Sequence, residues 1–307
     1  MKITASSVKL DNDLSTWRVF ATSVCGTSHQ RRGQPCQDAH CWKRSANGVL
    51  IAAVADGAGS ATRSIEGAKR AVEASIEFLT DIDFTQFNPA APVPLADSEL
   101  TIDLSEAENS ETGNSETKTE LETILAGALS TARNAVNAEA KSHSIDVREF
   151  ASTLISIVAT SDWVAVAQIG DGAAVVRDSE EQSIALTQPQ QGEYANQTTF
   201  LTSDNALETA QIEIWQGTPT HLALFSDGLQ RLALEMPEGK PFDRFFNPLF
   251  QFVTQNTDET EGSTQLATFL QSPRVTQRTD DDLTLLLAHL YSEQRAVNSE
   301  QCKEQCK

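Results

Sequence analysis

The chain has 307 residues, with 23 Lys and Arg against 43 Asp and Glu, for a formal net charge of −20. So large an acidic excess argues against binding along a nucleic-acid backbone, which needs clustered Lys and Arg, and against docking on an anionic membrane surface. Apolar residues make up 39% of the chain and mean hydropathy is −0.31, and no apolar run approaches the roughly 20 residues of a membrane-spanning helix.

The first residues, MKITASSVKLDNDL, lack an apolar stretch, so no secretory leader is expected. The cysteines are Cys25, Cys36, Cys41, Cys302 and Cys306. An odd number without a leader predicts reduced thiols and a cytoplasmic location. Cys36 and Cys41 lie near His29 and His40, which raises a zinc site, but zinc motifs show tighter pairing and packed thiols are the expectation.

Trp17–Cys25 reads as a first strand and Val49–Ala55 as a second. Ser64–Leu79 has helical spacing, with Ser64 as its expected N-cap. From about Asn88 to Thr119 the chain is rich in proline at first, then in acids, Ser and Thr, with no aromatic residue. Such a stretch buries too little apolar surface to offset its ordering entropy, so a mobile acidic insertion is expected. A second helix is predicted over Glu120–Ala140. Strands follow at Thr153–Thr160, Trp163–Ile169, Ala173–Val176 and His221–Phe225. Short helices follow at Phe242–Val253 and Thr264–Leu270, then a last strand at Leu283–Leu290. Tandem strands without regular helical crossovers predict an α+β layered sandwich rather than a doubly wound sheet. Residues 1–292 are expected to form one domain, with 293–307 a polar tail.

The informative pattern is where the carboxylates fall. Val49–Ala55 runs into Asp56-Gly57, Trp163–Ile169 into Gly170-Asp171-Gly172, and His221–Phe225 into Ser226-Asp227-Gly228. Asp280-Asp281-Asp282 precedes the last strand, and Gln37-Asp38 follows the loop after the first. A single Asp-Gly is usually just a turn. Repeated at strand ends, the pattern mounts several acids on rigid supports from which they can converge. Converging carboxylates repel unless neutralised, and all-oxygen sites suit Mg²⁺ or Mn²⁺ rather than zinc. Two such cations can activate a shared water and hold phosphate oxygens, so metal-assisted phosphoester hydrolysis is the reaction class expected.

The segments Gly33–His40, Val54–Ser60, Ala167–Ala173, Leu224–Leu229 and Asp281–Leu285, in that order, resemble the PP2C-type metal-dependent serine/threonine phosphatases, and their compact bacterial branch in particular. The resemblance spans about Trp17 to Tyr291. It implies a four-layer αββα sandwich of two antiparallel sheets flanked by helices, with metals in a cleft at one end. It further implies that Asp56 bridges two metals, that the Gly57 carbonyl binds one, and that Asp227 and Asp281 complete the second. Asp38 would hold metal-bound water, Asp171 would bind a weaker third metal, and Thr187–Leu201 would be a flap over the cleft. The substrate implied is phosphoserine or phosphothreonine on a protein, attacked by a water or hydroxide bridging two Mn²⁺ or Mg²⁺ ions. Relatives are often paired with a Ser/Thr kinase or a von Willebrand-type partner, and a monomer is expected.

This chain departs from the pattern in places. Ala58 stands where many relatives carry His or Met. In the eukaryotic branch that His is thought to protonate the leaving group. Here the role falls to metal-bound water or another residue, or is dispensable for acidic leaving groups. The phosphate-gripping arginine is displaced, which makes Arg32 the candidate phosphate clamp and His29 the next candidate, since a planar guanidinium suits phosphate oxygens. Ser60 replaces a second glycine. The acid, Asp, apolar, Thr pattern places the metal ligand at Asp281 rather than Asp282. The rival readings are a catalytically silent module that binds a phosphoprotein or kinase, and a two-metal hydrolase of small phosphate esters.

Overall fold

The computed structural model describes residues 15–87, 104–189 and 198–292. Strand β1 (Ser15–Val24) leads into a short helix α1 (Thr27–Arg32), then β2 (Ala39–Arg44), β3 (Leu50–Ala55) and α2 (Ser64–Thr80). Next come α3 (Leu104–His143), β4 (Leu154–Ala159), β5 (Trp163–Ile169), β6 (Ala173–Asp178), β7 (Ser183–Ala185) and β8 (Gln211–Gln216). The chain continues through β9 (Pro219–Phe225), α4 (Gln230–Ala233), a small hairpin of β10 (Leu234–Glu235) and β11 (Lys240–Pro241), and α5 (Asp243–Gln255). It closes with α6 (Glu259–Leu270), α7 (Pro273–Thr276) and β12 (Leu283–Ser292).

Two five-stranded antiparallel sheets result, ordered β1-β12-β9-β6-β7 and β2-β3-β4-β5-β8. Strands β3, β4 and β5 are buried along their whole length, which is why they read as continuous apolar runs rather than alternating ones. One face of each sheet meets the other sheet through Trp17, Leu50, Val54, Ile157, Leu222 and Leu286. The opposite face of the β2–β8 sheet packs on α2 and α3, where Ala68, Ala71 and Ala132 let the helices approach closely. The opposite face of the β1–β7 sheet packs on α5 and α6 through Phe20, Phe225, Phe246 and Phe250. The expected α+β sandwich of four layers, αββα, is therefore what the chain forms. No helix of the described residues is long and apolar enough to cross a membrane.

Several local expectations are corrected. Ser64 is not a cap: Arg63 holds that position, and among the described residues no side chain caps the helix and the buried Ser64 hydroxyl has no hydrogen-bond partner. Helix α3 starts at Leu104, well before Glu120, and so takes in residues 104–119 of the expected mobile insertion; this stretch holds no proline, though its Ser, Thr, Asn and Gly content does not by itself favour helix. Residues 88–103 of the expected acidic insertion lie outside the described residues, as does the tail 293–307. Strands β2, β7 and β8 were not legible because they are half-exposed and carry polar residues.

Candidate active site

The acids are delivered by strand ends at one edge of the sandwich. Asp56 follows β3, and it is tied to the chain before β4, where its N–H donates to Thr153 Oγ1 at 2.9 Å and its carbonyl accepts from Thr153 N–H at 2.8 Å. Asp171 sits in the tight turn from β5 to β6. The fully buried Gln168 amide spans that turn from within, donating to the Gly172 carbonyl at 2.7 Å and the Gly170 carbonyl at 3.1 Å. Asp227 opens the turn after β9.

Asp56, Asp171 and Asp227 each present a carboxylate oxygen to a common point, the three atoms lying within 4.8 Å of one another. They line a cavity of about 320 Å³ together with Gly57, Ala58, Asp280, Asp281, His29 and Arg32. Asp281 thus shares the cavity but lies outside the three-acid cluster. Asp38 sits behind it, buried, and accepts a hydrogen bond from Ser226 Oγ at 2.7 Å. Two glycines allow this convergence. A Cβ on Gly228 would fall 2.1 Å from the Asp282 carbonyl oxygen, and one on Gly26 would fall 2.2 Å from the Asp281 carbonyl carbon.

Asp282 is not a cavity acid. It is buried, and both of its oxygens are engaged by Gly26 N–H at 2.7 Å, Gln37 N–H at 2.6 Å and His29 Nδ1 at 2.9 Å. The neighbouring residues go opposite ways at the bend before β12, Asp281 to the cavity and Asp282 into the protein. Arg32 lies on α1, not on the irregular loop that was expected, and at the cavity rim it donates to Ser28 Oγ of its own helix at 2.7 Å. Of the predicted flap, Thr198 and Phe200 reach the cavity, and Thr198 Oγ1 donates to Asp171 Oδ2 at 2.6 Å. Residues 190–197 lie outside the described residues.

Burial raises the Asp38 carboxyl to about 6, against the lowering effect of the Ser226 hydrogen bond. Burial and then the neighbouring Asp171, Asp281 and Asp38 raise Asp227 to about 7. Asp56 is pushed well above the carboxylate range by burial, then by Asp38 and Asp227. Among the described residues none of these acids has a Lys or Arg ion-pair partner. Among the described residues, Asp38 Oδ1 and Asp171 Oδ1 are buried without a hydrogen-bond partner. Carboxylate oxygens of Asp56, Asp171 and Asp227 gathered at one point without a cation partner are what a hard divalent ion would satisfy, so the donor set fits Mg²⁺ or Mn²⁺. The cysteines and histidines form no comparable cluster among the described residues, which leaves no zinc site there.

Sequence reasoning did not find Ser226, Thr153 or Gln168. Only Gln168 carried a visible signal, a long amide inside the apolar run Trp163–Ile169.

The chain matches the family model described as Protein phosphatase 2C over residues 25–271. It is 34% identical over 280 residues to Serine/threonine-protein phosphatase 3 of Escherichia coli (strain K12), a match covering 89% of this chain and 98% of that protein. Among solved structures, the serine/threonine phosphatase Stp1 from Staphylococcus aureus has a TM-score of 0.51 at 14% identity, covering 94% of this chain and 100% of that one. The catalytic domain of the serine threonine protein phosphatase PstP, in complex with two manganese ions, has a TM-score of 0.51 at 14% identity, covering 91% and 100%. At such identities the likeness is one of fold.

Proposed function

The chain belongs to the Protein phosphatase 2C family, and we propose that it hydrolyses phosphoserine and phosphothreonine on proteins with the help of two divalent cations, Mn²⁺ or Mg²⁺. The observation that carries this reading is the meeting of Asp56, Asp171 and Asp227 within one cavity, where no Lys or Arg among the described residues pairs with them.

Asp56, the Gly57 carbonyl, Asp227 and Asp281 would hold the pair, and Asp171 a third, weaker ion. When bound, the cations supply an activated water and neutralise charge on the phosphoryl group. The remaining work falls to the chain itself. Asp38, held by Ser226, accepts a hydrogen bond from the attacking water and fixes its direction. Arg32 exchanges its Ser28 partner for phosphoryl oxygens, which a planar guanidinium can grip in pairs. Thr153 and Gln168 keep the Asp56 and Asp171 mounts rigid, so the carboxylates need no reorganisation when substrate arrives. The phosphoprotein is the partner this site calls for, a cognate Ser/Thr kinase being the source of its phosphate.

The test is turnover of a phosphothreonine peptide with and without added Mn²⁺. Wild type should require the metal, and Asp56→Asn or Asp227→Asn should abolish turnover while the protein still folds. Full activity in either variant, or activity untouched by chelation, would falsify the reading.

A further inference from the structure

An alkoxide is a poor leaving group, so release of serine or threonine from phosphate calls for a proton on the departing oxygen. The cavity offers few sources. Ala58 has no proton to give. The Thr198 hydroxyl donates to Asp171, and Ser28 Oγ accepts from Arg32; an alcohol such as Ser28 is in any case no stronger an acid than the seryl or threonyl group that leaves. The clustered aspartates and Asp281 are the cation ligands of the reading above, and Asp280, which also lines the cavity, is exposed to solvent. His29 is left, and it lines the same cavity.

Its setting is unusual for a residue on a six-residue surface helix. His29 is 5% exposed, and its Nδ1 lies 2.9 Å from Asp282 Oδ2. Asp282 also receives the N–H groups of Gly26 and Gln37, so it is an acceptor and the shared proton sits on His29 Nδ1. Among the described residues Nε2 has no hydrogen-bond partner. A buried carboxylate on Nδ1 fixes the tautomer and orients the ring, which leaves Nε2 as the atom that gives and takes a proton. The helix itself is pinned to the same segment, since Ser28 N–H donates to the Asp280 carbonyl at 2.8 Å. Arg32 follows one turn later on α1, so the groups for phosphate and for leaving oxygen share one mount.

We propose that His29 is a catalytic residue that protonates the seryl or threonyl oxygen, with Asp282 as its positioning residue. This rests on the phosphatase reading above. As the bond from phosphorus to the departing oxygen breaks and the bond to the water oxygen forms, His29 Nε2 delivers its proton to the departing oxygen. The products are the free hydroxyl side chain and inorganic phosphate. The proton lost by the attacking water restores the imidazolium, directly or through solvent.

The experiment compares wild type, His29→Gln and Asp282→Asn in Mn²⁺. Substrates are a phosphothreonine peptide and a series of aryl phosphates of graded leaving-group acidity, including p-nitrophenyl phosphate. Wild-type kcat should depend only weakly on leaving-group acidity. His29→Gln should lose about 10²–10⁴-fold on the peptide, the usual worth of general acid catalysis, and far less on p-nitrophenyl phosphate. Its Mn²⁺ affinity by calorimetry should be unchanged. Nitrogen NMR of the His29 ring should show Nδ1 protonated in neutral wild type and a mixture of tautomers in Asp282→Asn. Equal loss on all substrates in His29→Gln, a steep leaving-group dependence in wild type, or an Nε2-protonated neutral ring would each overturn the assignment while the phosphatase reading stands. Absence of metal-dependent turnover in wild type would overturn both.

Discussion

Ser226 Oγ donates a 2.7 Å hydrogen bond to Asp38 Oδ2 across 188 positions of sequence. The same hydroxyl accepts from Thr284 N–H at 3.0 Å, so one small side chain ties the segment before β2, the turn after β9 and the start of β12. Ser226→Ala leaves the buried Asp38 carboxylate without that donor. Loss of such a bond costs about 1–3 kcal/mol. Urea unfolding should show this loss, and calorimetry should show weaker Mn²⁺ binding. An unchanged unfolding midpoint would mean that Asp38 is held by something else.

The raised carboxyls make a prediction about pH. Asp227 goes from about 3.9 in the unfolded chain to about 7 in the folded one. A raised folded value means that the folded state holds the proton more tightly. The associated stability is full below the unfolded value and is lost as pH rises through about 7. In chelator, the melting temperature of Asp227→Asn should therefore exceed that of wild type by a margin that grows from pH 5 to pH 8. Manganese should raise the wild-type melting temperature more at pH 8 than at pH 5, because the cation replaces the proton. A constant margin would contradict the crowding of charge at this site.

A slope of the opposite sign is expected far from the cavity. His221 lies between His289, with ring centroids 4.7 Å apart, and Phe250, with centroids 4.9 Å apart. Burial, then the His289 and Arg177 charges, pushes His221 down to about 3. For a base with a lowered folded value, stability is present above the unfolded value of about 6.5 and is lost as pH falls towards about 3. His221→Phe should remove part of that loss. The gap between its melting temperature and that of wild type should shift in favour of the variant between pH 7 and pH 4. Parallel curves would rule this out.

Gln168→Leu removes the amide that spans the Asp171 turn and leaves the carbonyls of Gly170 and Gly172 without it. The expected destabilisation is about 1–3 kcal/mol. The sharper readout is metal stoichiometry, which should fall at the site that includes Asp171 while Asp56 and Asp227 still bind. Unaltered stoichiometry together with unaltered stability would show that the turn holds itself.

Much of this protein was legible before any fold was known. Trp163–Ile169 is predicted and observed with the same bounds, because a fully buried strand leaves an unbroken apolar run between turn residues. The acids at the ends of β3, β5 and β9 were legible for a related reason: a carboxylate followed by glycine directly after such a run stands out locally. Helix α1 was not legible, since six residues carry too little periodicity and its Gly26 cap offers no side-chain bond. Ser64 misled because its type favours a cap, whereas packing placed it inside the first turn.

The amino-acid order by itself determined which residues could serve as rigidly mounted acids, since strand burial and turn chemistry are local properties. Only the tertiary structure decided which of them meet. It grouped Asp171 with Asp56 and Asp227, turned Asp281 to the cavity and Asp282 inward, and joined His29 to Asp282 across 253 positions. These outcomes depend on strand register and on how closely glycines let backbones cross, and neither is written in any short stretch of chain.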